Sequence, residues 1–305
     1  MSKALITGGA GFIASHVADA YLELDYGVVI VDDLSTGRRE NLNDQAKFYQ
    51  TSILDPDFAK IVADEKPDVI NHHAAQVSVR LSVADPVADA TTNIIGTLRV
   101  LEAARDCGVK KAIFSSTGGA IYGEQDYFPA DEHHPTRPVS PYGIAKLSSE
   151  HYLRFFGLSY GLNTTVLRYA NVYGPRQDPH GEAGVVAIFA KKMLSGEQPV
   201  INGDGTQTRD FVYVGDVAAA NVAALSLEEN AVINVGTGIE TSVNQLFTGM
   251  CDVGGFSLEQ VHGPAMPGEQ LRSVVDNGLA EKLLDWKPVI GLQEGLRQTI
   301  DFFRG

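Results

Sequence analysis

An α/β fold is predicted, with a doubly wound parallel sheet and a smaller mixed α/β domain beside it, and three observations predict it. Short apolar strands alternate with helical stretches through the first half of the 305-residue chain. A glycine turn joins the first strand to the first helix, and the second strand ends in paired acids about twenty residues further on.

Taken in order, Lys3-Ala4-Leu5-Ile6-Thr7 reads as a buried strand running into Gly8-Gly9-Ala10-Gly11-Phe12-Ile13-Ala14 and a helix through Ser15-His16-Val17-Ala18. Glycine lets a backbone turn tightly and approach a pyrophosphate, and the helix behind it offers free N–H groups and the positive end of its dipole. The second strand, Gly27-Val28-Val29-Ile30-Val31, ends in Asp32-Asp33, where a carboxylate would accept hydrogen bonds from an adenosine ribose. Strand, turn, helix, strand and acid in this order mark a dinucleotide site. An acid at Asp32 repels a 2′-phosphate, so NAD is expected over NADP, while Arg38 and Arg39 leave the alternative open.

Val69-Ile70-Asn71-His72-His73 begins the next unit, followed by a long helical stretch around residues 90–107 and then by Lys111-Ala112-Ile113-Phe114-Ser115-Ser116. Ligands of such sheets lie beyond the carboxyl ends of the strands. The segments HHAAQ (72–76), SSTGGAIYG (115–123) and RYANVYG (168–174) are therefore expected to converge on one crevice. After residue 175 the pattern turns irregular (GPRQDPHGEAG, NGDGTQTRD), as expected of a second domain supplying the other wall. The expected division is 1–170, with a returning segment about 211–237, for the NAD-binding domain, and 171–210 with 238–305 for the substrate domain.

Tyr142 and Lys146 stand four residues apart in SPYGIAKLSSE, a spacing that stacks them on one helix face. A nearby ammonium favours a phenolate, so the pair is expected to supply a general base. The net charge of −14 argues against nucleic-acid or anionic-membrane partners. Cys107 and Cys251 are read as buried thiols in a reducing cytosol, and no apolar run reaches membrane-spanning length. The first ten residues are already strand and turn, so no signal peptide is expected and the location is expected to be cytoplasmic. The pairs His72-His73 and His133-His134 lack a completing ligand set, so no metal site is expected.

TGGAGFIASH, the paired acids, HHAAQ, SSTGGAIYG, YxxxK, RYANVYGPRQ, GDGTQTRDFVYVGD and PGEQLRSVVD together resemble the extended short-chain dehydrogenase/reductase family, and within it the UDP-glucose 4-epimerase group. The resemblance runs over nearly the whole chain and implies a Rossmann-like NAD-binding domain and a UDP-sugar substrate. It implies that Gly8, Gly11, Phe12, Ile13, Asp32, Asp33, Ser52, Ile53, His73, Ala74, Ala75, Gln76, Asn93, Ser115, Tyr142, Lys146 and Tyr169 surround the cofactor. Thr117, Tyr142 and Lys146 would be the catalytic trio, with Ser116 in reserve for the hydroxyl role. Asn171 and Arg209 would hold the nucleotide-sugar diphosphate, and Ser273 would leave room at the sugar's C2 substituent. The helices around 90–107 and 142–156 would pair across a two-fold axis in a homodimer.

The chain departs from that family's pattern at Ala14 in the glycine turn, at Ser52 in place of an aspartate, and at Met266 in place of a diphosphate-binding arginine, for which Arg176 or Arg272 would have to substitute. A 4,6-dehydratase would carry Asp-Glu after the threonine, where this chain has Gly118-Gly119. A UDP-uronate decarboxylase or epimerase is the nearer alternative, and a non-catalytic NAD-sensing module the more distant one.

Overall fold

The computed structural model describes residues 2–180, 184–266 and 270–305. The chain begins with β1 (Lys3–Thr7), α1 (Phe12–Glu23), β2 (Gly27–Asp32), β3 (Lys47–Gln50), α2 (Asp57–Glu65) and β4 (Val69–His72). The short helices α3 (Val79–Ala84) and α4 (Pro86–Ala90) lead through a π-helical turn, Thr91–Ile95, into α5 (Gly96–Asp106). Next come β5 (Lys111–Thr117), the single turn α6 (Gly118–Ile121), α7 (Pro141–Tyr160), β6 (Asn163–Tyr169) and β7 (Asn171–Tyr173). The remainder comprises α8 (Val185–Leu194), β8 (Val200–Asn202), β9 (Thr208–Tyr213), α9 (Val214–Ala224), β10 (Ala231–Val235), β11 (Glu240–Ser242), α10 (Val243–Gly254), β12 (Val261–Gly263), β13 (Arg272–Ser273), α11 (Gly278–Leu284) and α12 (Leu292–Arg304).

Seven parallel strands form the main sheet in the order β10-β6-β5-β4-β1-β2-β3. Strand order reverses between β1 and β4, which places the ligand crevice of a doubly wound sheet beside the glycine turn. Both faces are covered. Leu5, Ile70 and Phe114 pack with Phe58, Leu101 and Leu153 on one side, and Ile6, Ile30 and Val28 pack with Val17 and Ala218 on the other. Burial on two faces is why these strands read as unbroken apolar runs instead of alternating ones.

The second layer is built around β9, which pairs with β11, β13 and β7. Its core gathers Tyr173, Phe189, Phe211, Phe247 and Leu296. One expected helix is subdivided: the stretch around 90–107 is the π turn followed by α5, and the extra residue of the π turn carries the buried Asn93. Helix α7 has a sharp start, because Ser140 caps it by accepting from the Gly143 N–H (3.2 Å) and Pro141 occupies the first turn. That cap fixes Tyr142 on the first turn and Lys146 one turn later.

Candidate active site

At the adenosine end the geometry is mostly backbone. Gly8 has φ +71°, and a methyl built on it would lie 2.7 Å from the Ala74 nitrogen, so the glycine turn and the 73–75 segment meet with no room for a side chain. Gly11 is the N-cap of α1 and no side chain caps that helix, leaving its first N–H groups to face a ligand. Asp32 is buried; its Oδ2 accepts from the Ala10 N–H (3.0 Å) and its Oδ1 from the Leu34 N–H (2.8 Å). Burial pushes the Asp32 carboxyl above its usual range, and those N–H groups pull it back. Asp33 is exposed and accepts from the Ser35 N–H (2.9 Å).

This cradle fits a dinucleotide. The cations that left NADP open are engaged: Arg38 pairs with Asp178 (2.8 Å), and Arg39 lies over Phe48 while donating to Gln50. Phe12 and Ile13 are half-buried on the first turn of α1, and both also pack against the second layer's core. The Ile53 side chain is committed to the hydrophobic core, whereas Ser52 is half-buried with its hydroxyl accepting from the Leu54 N–H (3.3 Å).

At the other end, Thr117 is the last residue of β5 and lies in register with Tyr169 of β6. A methyl built on Gly119 would meet Thr117 Oγ1 at 3.8 Å and Asn171 Oδ1 at 3.9 Å, so these two side chains flank one space. A methyl on Gly118 would lie 2.8 Å from Val275 Cγ1, which leaves no volume there for an acidic side chain. The His73 ring stacks on Tyr169 (6.2 Å between centroids), and burial holds its imidazole down at about 3, hence neutral.

Lys146 is buried, donates to the Ser115 carbonyl (2.8 Å), and sits 6.0 Å from the Tyr142 ring centre. In the protein alone, the surroundings of Tyr142 oppose the expected acidification by Lys146. Burial, followed by the negative charge of Asp89, pushes the Tyr142 phenol well above its ordinary range. Burial also pulls Lys146 down to about 8, against the opposing charges of Asp89 and Glu150. Desolvation acts on both members of the pair and outweighs their spacing.

Behind these residues lie two polar networks that sequence reasoning did not find. Arg168 forks onto Glu150 (Nη2–Oε2 2.7 Å, Nε–Oε1 3.1 Å) and donates to the Tyr122 hydroxyl (2.9 Å), which donates to Asn234 (2.7 Å). Ser116 donates to Glu150 (2.5 Å) and is buried, so its reserve role as the reacting hydroxyl is withdrawn. Glu150 stands one helical turn past Lys146, a spacing that was visible in the sequence. In the second network Asn93 Oδ1 accepts from the Gln76 N–H (2.9 Å), Asn93 Nδ2 donates to the Gln76 carbonyl (2.9 Å), and both side-chain amides donate to Asp89 Oδ1. Asn93 and the Gln76 side chain thus brace the crevice from behind, while Ala74 and Ala75 are half-buried beside the glycine turn. His72 is likewise a brace between Thr7 Oγ1 (2.7 Å) and Thr97 Oγ1 (3.1 Å).

The opposite wall carries Asn171 on β7, Arg209 on β9 and Ser273 on β13, the last two in register with each other. Arg209 Nη1 donates to the Thr208 carbonyl (2.8 Å). Nearby, Asp210 accepts from Thr237 and Gly238, and Asp216 caps Val289 and Ile290. Arg272 pairs with Glu240 (2.7 Å) and stacks on Phe128, and Arg176 pairs with Asp19 (2.7 Å). Either would have to change partner to replace the arginine missing at Met266. The PGE segment after Met266 (267–269) and the GEA of GPRQDPHGEAG (181–183) lie outside the described residues. Cys107 and Cys251 are free and half-buried, less enclosed than expected.

A family profile described as "NAD dependent epimerase/dehydratase family" matches residues 4–236. Among solved structures, a UDP-glucose 4-epimerase of Thermotoga maritima with UDP-glucose superposes with a TM-score of 0.97 at 53% identity, covering 99% of this chain and 98% of that one. A UDP-glucose 4-epimerase of Thermus thermophilus in complex with NAD gives 0.94 at 44% identity, with 99% of each chain covered. A UDP-N-acetylglucosamine 4-epimerase of Methanobrevibacter ruminantium in complex with UDP-N-acetylmuramic acid gives 0.94 at 39% identity, covering 99% and 98%.

Proposed function

The chain belongs to the NAD dependent epimerase/dehydratase family, and on that premise we propose that it interconverts the C4 epimers of a UDP-hexose, UDP-glucose and UDP-galactose or their N-acetylated counterparts, through a transient 4-keto sugar. The observation that carries this reading is the shared space flanked by Thr117 and Asn171, at the end of the strand whose Ser115 carbonyl holds Lys146, together with a glycine cradle shaped for a dinucleotide. Bound NAD supplies the hydride acceptor and donor at C4 together with a positive ring charge that opposes the burial penalty on Tyr142.

The protein's own groups do the remaining work. Tyr142, as the phenolate that the cofactor's positive charge favours, takes the proton of the sugar 4-hydroxyl as the 4-keto sugar forms and returns it afterwards; Thr117 shares that hydrogen bond. Lys146, held by the Ser115 carbonyl, stays cationic beside the phenol and holds the cofactor's ribose. Asn171 and Arg209 grip the diphosphate, whose charge matches a guanidinium fork, so that binding energy resides in the nucleotide and the sugar stays free to turn. Dehydration is disfavoured because position 118 has no room for an acid.

The NAD-binding unit is taken as 1–170 with 211–237, which includes β10 at the edge of the main sheet, and the substrate unit as 171–210 with 238–305. A homodimer accounts for the apolar stripe on the outer face of α7 (Ile144, Tyr152, Phe155, Leu158), exposed in the single chain, together with Ile95 before α5. A cytoplasmic place in galactose metabolism accords with two free thiols and a nucleotide-sugar substrate.

The test mixes purified protein with UDP-galactose and, separately, UDP-N-acetylgalactosamine, without added reductant, and resolves the 4-epimers by chromatography with Tyr142→Phe as control. Conversion that vanishes in the variant is the expected result. No conversion of either sugar, with NAD bound, would transfer the reading to a UDP-uronic acid substrate.

A further inference from the structure

One buried carboxylate near the reacting pair has no part in the chemistry above. Asp89, on α4, is 1% exposed. Its Oδ1 takes both amides of the second network, Gln76 Nε2 at 2.8 Å and Asn93 Nδ2 at 2.9 Å. Its Oδ2 is buried with no hydrogen-bond partner among the described residues. A carboxylate so placed is costly unless its charge serves a neighbour.

We propose that Asp89 is a positioning residue for the tyrosine–lysine pair: its carboxylate fixes the Gln76–Asn93 brace and supplies the negative charge against which Lys146 remains an ammonium and Tyr142 a neutral phenol until the cofactor's positive charge arrives. The inference rests on the reading of Tyr142 and Lys146 as the reacting groups. Helix α4 packs on α3, on the π turn and on α7. The charged and titratable groups on those elements near the site are Tyr142, Lys146 and Glu150 on α7 and Arg80 on α3, which is already engaged; the π turn carries none. His72 and His73, at the end of β4, also face Lys146 and are held neutral by burial.

Asp89 and Glu150 both favour the charged form of Lys146, but Glu150 is already forked by Arg168. Asp89 has no such partner among the described residues, and it is the charge that disfavours the Tyr142 phenolate. Removing it lowers the titration points of both groups. That common direction separates an electrostatic role from loss of packing, which lowers activity without moving either point.

The experiment compares the 305-residue chain with Asp89→Asn, which keeps shape and an acceptor oxygen at Oδ1. NMR titration of the lysine side chains, with the Lys146 signal identified by its loss in Lys146→Arg, needs no turnover and therefore stands even if the substrate is something else. The Lys146 midpoint, which burial lowers to about 8, is expected to fall by about one further unit in Asp89→Asn. Both limbs of the pH–kcat profile are expected to move to lower pH with it. An unmoved Lys146 midpoint overturns the inference, as does a loss of kcat at every pH with both limbs in place. Should Asp89→Asn fold poorly, Asp89→Ser is titrated in the same way, and the same two outcomes apply.

Discussion

The two ends of the crevice are built by different physics. At the end proposed for the adenosine, Gly8, Gly11 and Asp32 act through backbone geometry and hydrogen bonds set by residues between Gly8 and Leu34, with the approach of Ala74 to Gly8 as the long-range exception. At the end proposed as catalytic, Tyr142 and Lys146 would act through charge, and burial among residues drawn from α4, α7 and β5 shifts that charge. A motif at the first end can be read as chemistry directly. At the second it names the actors while leaving their protonation open.

The largest expected effect lies at the catalytic end. Tyr142→Phe should reduce kcat roughly a thousandfold while leaving NAD binding and Tm nearly unchanged, measured by epimer turnover and thermal melting. Retained turnover would remove the distinction between the two ends by showing that the phenol does no proton transfer.

Lys146→Met probes whether the catalytic end is strained. Burial lowers the Lys146 pKa from 10.5 to about 8, so the unfolded chain holds that proton more tightly. The penalty on folding is fully present below pH 8 and fades as pH rises towards 10.5. At pH 7 the ligand-free variant should therefore be stabilised, by about 3 kcal/mol at most, with the gain shrinking by pH 10, and with activity lost. A destabilised variant at pH 7 would mean that the bond to the Ser115 carbonyl outweighs desolvation.

Gly8→Ala probes the backbone end. Its φ of +71° and the 2.7 Å approach to Ala74 should cost about 1–2 kcal/mol of conformational strain and, by pushing the 73–75 segment outward, about tenfold or more in NAD affinity. Unchanged NAD affinity would show that the cradle tolerates a shift of the backbone.

The smallest effect is confined to one substrate class. Ser273→Tyr should selectively lower turnover of UDP-N-acetylglucosamine, by roughly tenfold to a hundredfold, and spare UDP-glucose. Equal loss with both sugars would place Ser273, which is 3% exposed, in the support of Arg209 instead of at the C2 substituent.

The legible parts of the site share a cause. The glycine turn, the acid after β2 and the helix cap at Ser140 are short-range signals, since backbone turns and caps are set by adjacent residues. The Arg168–Glu150 fork and the Gln76–Asn93–Asp89 brace were not legible, because each joins residues 13 or more positions apart or on different elements. Ser116 shows the consequence: a hydroxyl next to Thr117 in sequence points into the opposite environment on a strand, since successive side chains alternate faces.

By itself the sequence determined the parallel α/β sheet, its NAD cradle and the identity of the tyrosine–lysine pair, because strand period, glycine turns and helical spacing are properties of neighbouring residues. Only the tertiary structure decided the burial of Lys146, the withdrawal of Ser116 and the position of Asp89 behind the brace. Desolvation and Coulomb interactions depend on distance in space, and no pattern along the chain reports that distance.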